Sequence, residues 1–158
     1  MPTPERKRYG TASAADRARG GLDFVQGLVD GSLPLNTMAR TLGYDVVEAS
    51  EGRVVVTAVP TAEQLNPEGT VHGGFSATLL DACMGLAVRT LTGAGTGSTT
   101  LELKITFVRP ITPETGPVRG EGMVLNVGRR VGSAEGRLTD CNGKLLAHAT
   151  TTCLIFER

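Results

Sequence analysis

Strict alternation of apolar and polar residues fills the second half of the chain, and one long apolar segment near the middle breaks it. Residues 99–109, 118–127, 130–140 and 144–156 each read as half-buried strands, whose side chains alternate between two faces. In the first of these, Leu101, Leu103, Ile105 and Phe107 share one face, while Thr100, Glu102, Lys104 and Thr106 share the other. Two shorter strands are predicted over 44–48 and 53–59, around a turn at Ser50-Glu51-Gly52. The turn at Asp140-Cys141-Asn142-Gly143 contains Asn-Gly, a strong hairpin signal. Residues 75–91 differ: they are apolar or small almost all round, which predicts a helix covered on most sides. Residues 62–71 form a loop carrying Asn66-Pro67, and 92–97 are Gly-rich and expected to be flexible. Upstream, a loose helical pattern over 14–29 puts Leu22, Val25, Leu28 and Val29 on one face. Ser32 is placed to cap a short helix over 35–42 that Gly43 ends. Residues 1–12 are expected to be disordered. An antiparallel sheet wrapped around one buried helix satisfies both patterns, so the expected class is α+β. No internal repeat or low-complexity tract is present.

Composition narrows the function classes. At 158 residues the chain has the length of one domain, enough to bury a real core. Sixteen basic and sixteen acidic residues give a formal net charge of zero, which argues against nucleic acid or an anionic membrane surface as main partner. The absence of Trp and an aromatic content of 4% leave little for base stacking. No uncharged apolar run reaches the ~20 residues of a membrane span. The polar N-terminus, with Arg6-Lys7-Arg8, reads as a solvated tail and lacks the apolar middle of a secretory signal. Cys83, Cys141 and Cys153 are odd in number and match no zinc spacing; a reduced, cytoplasmic setting fits. Cys83 reads as a small core residue. With His72 and His148 the only histidines, a multi-His metal centre is not expected. Neither a phosphate-binding Gly loop nor a Gly-x-Ser-x-Gly elbow occurs, which argues against ATP, NAD and the usual serine-hydrolase route.

The chemistry concentrates between Asn66 and Asp81. Gly73 and Gly74 open the turn into the helix and let a ligand approach the backbone closely. The first N–H groups of a helix have no partner within it and suit a developing negative charge. Asp81 is the sole charge between Phe75 and Val88, and a carboxylate in such a segment loses hydration at a cost of several kcal/mol unless held. Asp81 lies about two turns beyond Gly73, at ~1.5 Å of rise per residue. One copy of the helix cannot present both groups to one ligand without a long reach. Two antiparallel copies would bring the Gly73 amide of one near Asp81 of the other, making a dimer the active unit. Asn66 before Pro67 also fits a plain Asx-turn, and a His before a helix can simply cap it.

Asn66, His72-Gly73-Gly74 and Asp81, nine residues after the His, resemble the acyl-CoA thioesterases of the hotdog fold, in particular the phenylacetate-degradation type within the 4-hydroxybenzoyl-CoA thioesterase superfamily. The resemblance continues through Thr100–Pro110, Val127-Gly128-Arg129-Arg130-Val131 and the closing strand with Asp140, Asn142, Gly143 and Lys144, about residues 35–156 in all. It implies a hotdog domain over 32–158, with two subunits side by side forming one long sheet, and a tail with a helical extension over 1–31. It also implies metal-independent hydrolysis of an aryl- or medium-chain acyl-CoA, with no cofactor beyond the coenzyme A of the substrate. By the same resemblance Asp81 is general base or nucleophile, and Gly73 N–H receives the thioester oxygen. Asn66 places water or contacts the thioester, His72 lines the site and holds the loop, and Thr100 orients water or Asp81. Gly74 belongs with the substrate-binding turn.

Arg129 and Arg130 follow Gly128 at a turn, and paired guanidinium groups suit the phosphates of coenzyme A through forked, charge-assisted hydrogen bonds; solvated surface is the other reading. The expected partners are acyl-CoA and a second copy of the chain, with dimers pairing into tetramers. Two rivals compete: a non-catalytic acyl-CoA-binding sensor or carrier on the same fold, and an enoyl-CoA hydratase on a related one. The first gains little from a desolvated Asp81. The second wants an Asp and a His poised in one loop, whereas His72 and Asp81 are nine residues apart.

Overall fold

Among the described residues, six antiparallel strands form one sheet: β1 (Tyr44–Ser50), β2 (Arg53–Ala58), β3 (Thr96–Phe107), β4 (Val118–Val127), β5 (Val131–Asp140) and β6 (Leu145–Glu157). Their spatial order is β1-β2-β4-β5-β6-β3, so the strand after the central helix closes one edge. The structure, a computed structural model, describes residues 8–158. Of residues 1–12, expected to be disordered, 1–7 with Arg6 and Lys7 lie outside the described residues, whereas 8–12 are placed against the fold. Residues 8–10 are held against Leu35 by paired backbone bonds, Leu35 N–H to Arg8 O at 3.0 Å and Gly10 N–H to Leu35 O at 2.8 Å.

Helix α4 (Gly73–Thr90) lies across one face of the sheet and touches all six strands, the α+β layering expected. Leu79, Leu80, Cys83, Met84, Ala87 and Val88 meet Val54, Val56, Val118, Ala134 and Leu138 in a continuous buried core. Each large apolar side chain so covered contributes about 1.5–3 kcal/mol. Glycines on the central strands let the helix backbone rest on the sheet: a Cβ at Gly122 would stand 2.5 Å from the Cys83 carbonyl, and one at Gly132 2.6 Å from Val88 Cγ1. Burial pushes the Cys83 thiol up to about 12, which fits an inert core residue. Contrary to expectation, α4 is not covered on most sides. Ala77, Thr78, Asp81, Ala82, Gly85 and Leu86 stay partly open, because a single sheet covers a single face.

The N-terminal helical extension differs from its sequence reading. It is two helices, α1 (Ala14–Arg17) and α2 (Gly21–Asp30), rather than one. The break comes where the chain docks on the end of α4. Gly21 sits so close that a Cβ would lie 1.7 Å from Arg89 O, and its N–H donates to Thr92 O at 2.9 Å. Val25 is fully buried and Phe24, Leu28 and Val29 flank the core, while Leu22 is outside it. Helix α3 (Thr37–Leu42) is capped by Asn36, whose Oδ1 accepts from Ala39 N–H at 2.8 Å, not by Ser32. Leu35 has its backbone engaged by residues 8–10, so the helix starts only beyond it; Gly43, at φ 70°, ends it. The 92–97 segment is tied rather than loose, with Gly95 N–H on Ala18 O and Arg158 N–H on Gly95 O, both at 2.8 Å.

Strand β3 departs most from simple alternation. Its pairing with β6 slips between Thr100 and Glu102, so Leu101 is a bulge residue and is 59% exposed. A bulge resets which side chains face which side. Leu103 and Ile105 pack on the core as expected, but Thr100 also turns toward the helix. Phe107 stays 54% exposed.

Candidate functional site

The turn into α4 is built by local bonds. His72 is the cap: its Nδ1 accepts from Gly74 N–H at 2.8 Å, and its own N–H donates to Gln64 O at 2.7 Å. That occupies the Gly74 amide and fixes the ring by a nitrogen without a proton. Gly73 N–H, one residue earlier, has no partner among the described residues, as the first amide of a helix should not. The Asn66 side chain holds the preceding loop: Oδ1 accepts from Glu68 N–H at 3.0 Å and Thr70 N–H at 3.1 Å, and Nδ2 donates to Thr70 Oγ1 at 2.8 Å. The Asx-turn is therefore present. One Nδ2 hydrogen remains beyond these bonds.

Asn66 and Gly73 share a cleft of about 380 Å³ with Ser76, Phe107 and Arg109. The Phe107 ring closes over Gly73, where a Cβ would lie 2.8 Å from Cζ. The alternation of β3 marked Phe107 as a core residue; its place over the helix start follows from tertiary packing. Arg109 Nη1 donates to Leu145 O at 2.6 Å, which anchors the far wall.

Asp81 faces a different cleft, of about 310 Å³, lined by Phe24, Asn36, Gly85, Arg89, Thr100, Cys153 and Arg158 among others. Its Oδ1 accepts from Thr100 Oγ1 at 2.7 Å, the contact that the β3 bulge makes possible. The carboxylate is half-buried rather than enclosed in the single chain. Burial, with the charge of Asp81 adding a smaller push, holds the Tyr44 phenol and the Cys153 thiol above their ordinary values. Cys153 sits opposite Thr100 in the β3–β6 register.

Asp81 and Thr100 are thus brought together, as are Asn66 and Gly73, but the two pairs open onto separate clefts. Arg129 and Arg130 lie together on a third, of about 490 Å³, beside Thr96, Phe156 and Glu157. Both are exposed, and neither side chain is bonded among the described residues. Sequence reading missed Phe24, Asn36 and Arg89. For Arg89 a signal existed: it is the next charge after Asp81 on the same helix, eight residues on. Phe24 and Asn36 come from the N-terminal extension and the α3 cap, and no spacing in the sequence links them to Asp81.

Comparison with known proteins bears on the family and the fold. The family model described as the thioesterase superfamily matches residues 68–147. The chain is 32% identical to the proofreading thioesterase EntH of Klebsiella pneumoniae over 109 residues, 69% of this chain and 78% of that one. It is 36% identical to a candidate esterase of Halobacterium salinarum over 119 residues, 72% and 76% of the respective chains. A crystal structure of a phenylacetic acid degradation-related protein from Ralstonia eutropha superposes with a TM-score of 0.74 at 32% identity, covering 82% of this chain and 98% of that one. The α+β sheet around a long helix is the hotdog fold of such thioesterases.

Proposed function

Since the chain belongs to the thioesterase superfamily, we propose that it hydrolyses the thioester of an aryl- or medium-chain acyl-CoA to the free acid and coenzyme A. One observation carries the reading. The unpartnered Gly73 N–H and the Asp81 carboxylate, bonded to Thr100 of β3, come from one helix but open onto different clefts, so each chain holds two half-sites. A second copy, packed antiparallel along the open face of α4, unites them twice over. The free edge of β3 continues the sheet into that copy, and dimers pair further into tetramers.

In the joined site the thioester oxygen accepts from Gly73 N–H of one subunit. Asp81 of the other takes a proton from water as the water oxygen attacks the acyl carbon. Negative charge gathers on the thioester oxygen, where one such donor is typically worth about 10²–10³ in rate. The C–S bond then breaks, and the sulfur leaves with the proton that Asp81 holds. Direct attack by Asp81, giving a mixed anhydride, uses the same two groups. Thr100 orients the carboxylate, and Asn66 with His72 holds the amide turn that also includes Gly74. Arg129 and Arg130 receive phosphates of coenzyme A at the rim. No metal enters the scheme, and the setting we propose is reduced and cytoplasmic.

A hydrolysis screen over aryl, aryl-acetyl and straight-chain acyl-CoAs, read by free thiol in the presence of chelator, tests this. Turnover of at least one is expected. Binding without turnover across the panel would establish the sensor reading instead, and strict metal dependence would remove the mechanism.

A further inference from the structure

Arg89 stands eight residues beyond Asp81 on α4, about 12 Å along the axis at 1.5 Å per residue. It is 4% exposed yet no carboxylate pairs with it among the described residues. Backbone carbonyls hold it instead. Arg89 Nη2 donates to Arg17 O at 2.9 Å and Arg19 O at 3.1 Å, Nη1 donates to Thr92 Oγ1, and the guanidinium lies over the Phe24 ring at 5.3 Å. Carbonyl and ring dipoles solvate the cation but do not neutralise it, and a buried charge without a counter-charge is costly.

A second cation lines the same cleft. Arg158 donates from Nε to Thr96 O at 3.2 Å, and its guanidinium rests on Phe156 at 5.5 Å. It too lacks an acidic partner among the described residues. Burial and, next, the charge of Arg158 hold Arg89 below its ordinary pKa, so the two guanidinium groups feel each other. Asp81, the one acidic side chain of the lining, lies about two helical turns from Arg89, makes no ion pair with either arginine, and accepts from Thr100 Oγ1 instead. Asn36 adds a donor. Its Oδ1 accepts from both Ala39 N–H and Tyr44 OH, which leaves the NH₂ end of the amide for the cleft.

We propose that the Arg89–Arg158 end of the Asp81 cleft is an anion-recognition site for the substrate, with Asp81 at the thioester and the two arginines at an anionic oxygen group carried by the same molecule. That group is a phosphate of coenzyme A or a carboxylate on the acyl moiety. The assignment rests on the thioesterase reading for the identity of the substrate, but not for the need of an anion. Phe24, Asn36 and Arg158 lie outside residues 68–147, so the site is built largely by parts of the chain beyond the matched stretch.

Arg158 is exposed and can be changed without disturbing the core, whereas Arg89 also fastens α1 and α2. Wild type and Arg158→Gln are therefore compared on hexanoyl-CoA, on adipoyl-CoA, which adds a terminal carboxylate, and on the pantetheine thioester of each. A lost charge-assisted hydrogen bond should raise KM about tenfold with kcat little changed. If the anion is a phosphate, KM rises for both CoA esters and for neither pantetheine ester. If it is the acyl carboxylate, KM rises for both adipoyl esters and for neither hexanoyl ester. KM unchanged on all four, or raised equally on all four including hexanoyl-pantetheine, overturns the assignment. Should the wild type cleave none of them, the thioesterase reading is judged separately, by the wider acyl-CoA screen. The anion site is then judged by calorimetric binding of the same four ligands to Asp81→Asn protein with and without Arg158→Gln. The same selective losses support it there; no binding, or no effect of Arg158→Gln, overturns it.

Discussion

The start and the middle of α4 make different kinds of site. At its start, Gly73 offers a backbone N–H whose position is fixed by peptide geometry and by bonds within residues 64–74, His72 on Gly74 and Asn66 on Thr70 foremost. At its middle, Asp81 offers a side chain whose position depends on Thr100, a residue nineteen places away brought in by a bulged edge strand. The first is held chiefly by local bonds, with the Phe107 ring packed over it. The second is tertiary and open to any change in strand register. A backbone donor cannot be removed without changing the turn, whereas a carboxylate can be removed alone, so the Asp81 end is the cleaner one to test.

The sharpest break in the comparison is Asp81→Asn. It should lower kcat by about 10²–10⁴ while circular dichroism stays that of the wild type; near-normal kcat in a folded variant would end the catalytic assignment. Gly73→Pro removes the N–H at the other end and should be comparably inactive. Mixing it with Asp81→Ala under verified subunit exchange pairs one good amide with one good carboxylate in each heterodimer. About half the dimers are then mixed with one of two sites intact, so activity should return to about a quarter of wild type. Activity that stays at background with both variants folded would place the whole site within one chain.

Thr100→Val sharpens the contrast, because it leaves both ends present but releases Asp81. A hydrogen bond to a charged group is worth about 1.5–3 kcal/mol, so kcat should fall by at least about tenfold with KM little moved. An equal loss in an otherwise matched Thr99→Val protein would show that the bulge, not the hydroxyl, matters. Gly122→Ala strikes both ends together by forcing a Cβ to 2.5 Å from the Cys83 carbonyl. Overpacking of this kind costs about 1–3 kcal/mol, to be read as a lower urea midpoint.

The smallest effect lies away from both clefts. Glu121 accepts from Arg53 Nε at 2.9 Å and Arg119 Nη1 at 2.5 Å. Those bonds, Arg53 first, hold its pKa below the ordinary 4.5. A depressed carboxylate stabilises the fold above its unfolded pKa and loses that contribution as pH falls through the folded value. Glu121→Gln should therefore be less stable than wild type near neutrality, by a surface-pair amount of about 1 kcal/mol or less. The gap should close below pH 4.5. A gap independent of pH would assign the loss to packing.

How much of this could be read in advance follows the same division. The strands 118–127 and 131–140, the Asn142-Gly143 turn and the central helix were legible because their signals are periodic and local. The cap of α3 is Asn36 and not the Ser32 that the pattern suggests, because the backbone of Leu35 is engaged by residues 8–10, a contact between segments that propensity cannot see. The break between α1 and α2 was missed for the same reason: it answers to Arg89 and Thr92, some seventy residues away.

By itself, then, the sequence determined the helix with an amide turn at one end and a lone carboxylate in its middle, since His72-Gly73-Gly74 and the apolar run around Asp81 act through hydrogen bonds and hydration over a few residues. Tertiary structure brings Thr100 to Asp81, as the resemblance implied and alternation did not, because one bulge in β3 reverses the side on which a residue falls. It alone decided that Phe24, Asn36, Arg89 and Arg158 share a cleft with that carboxylate. Those residues are distant in the chain, and only burial of a common core, which has no direction along the sequence, draws them together.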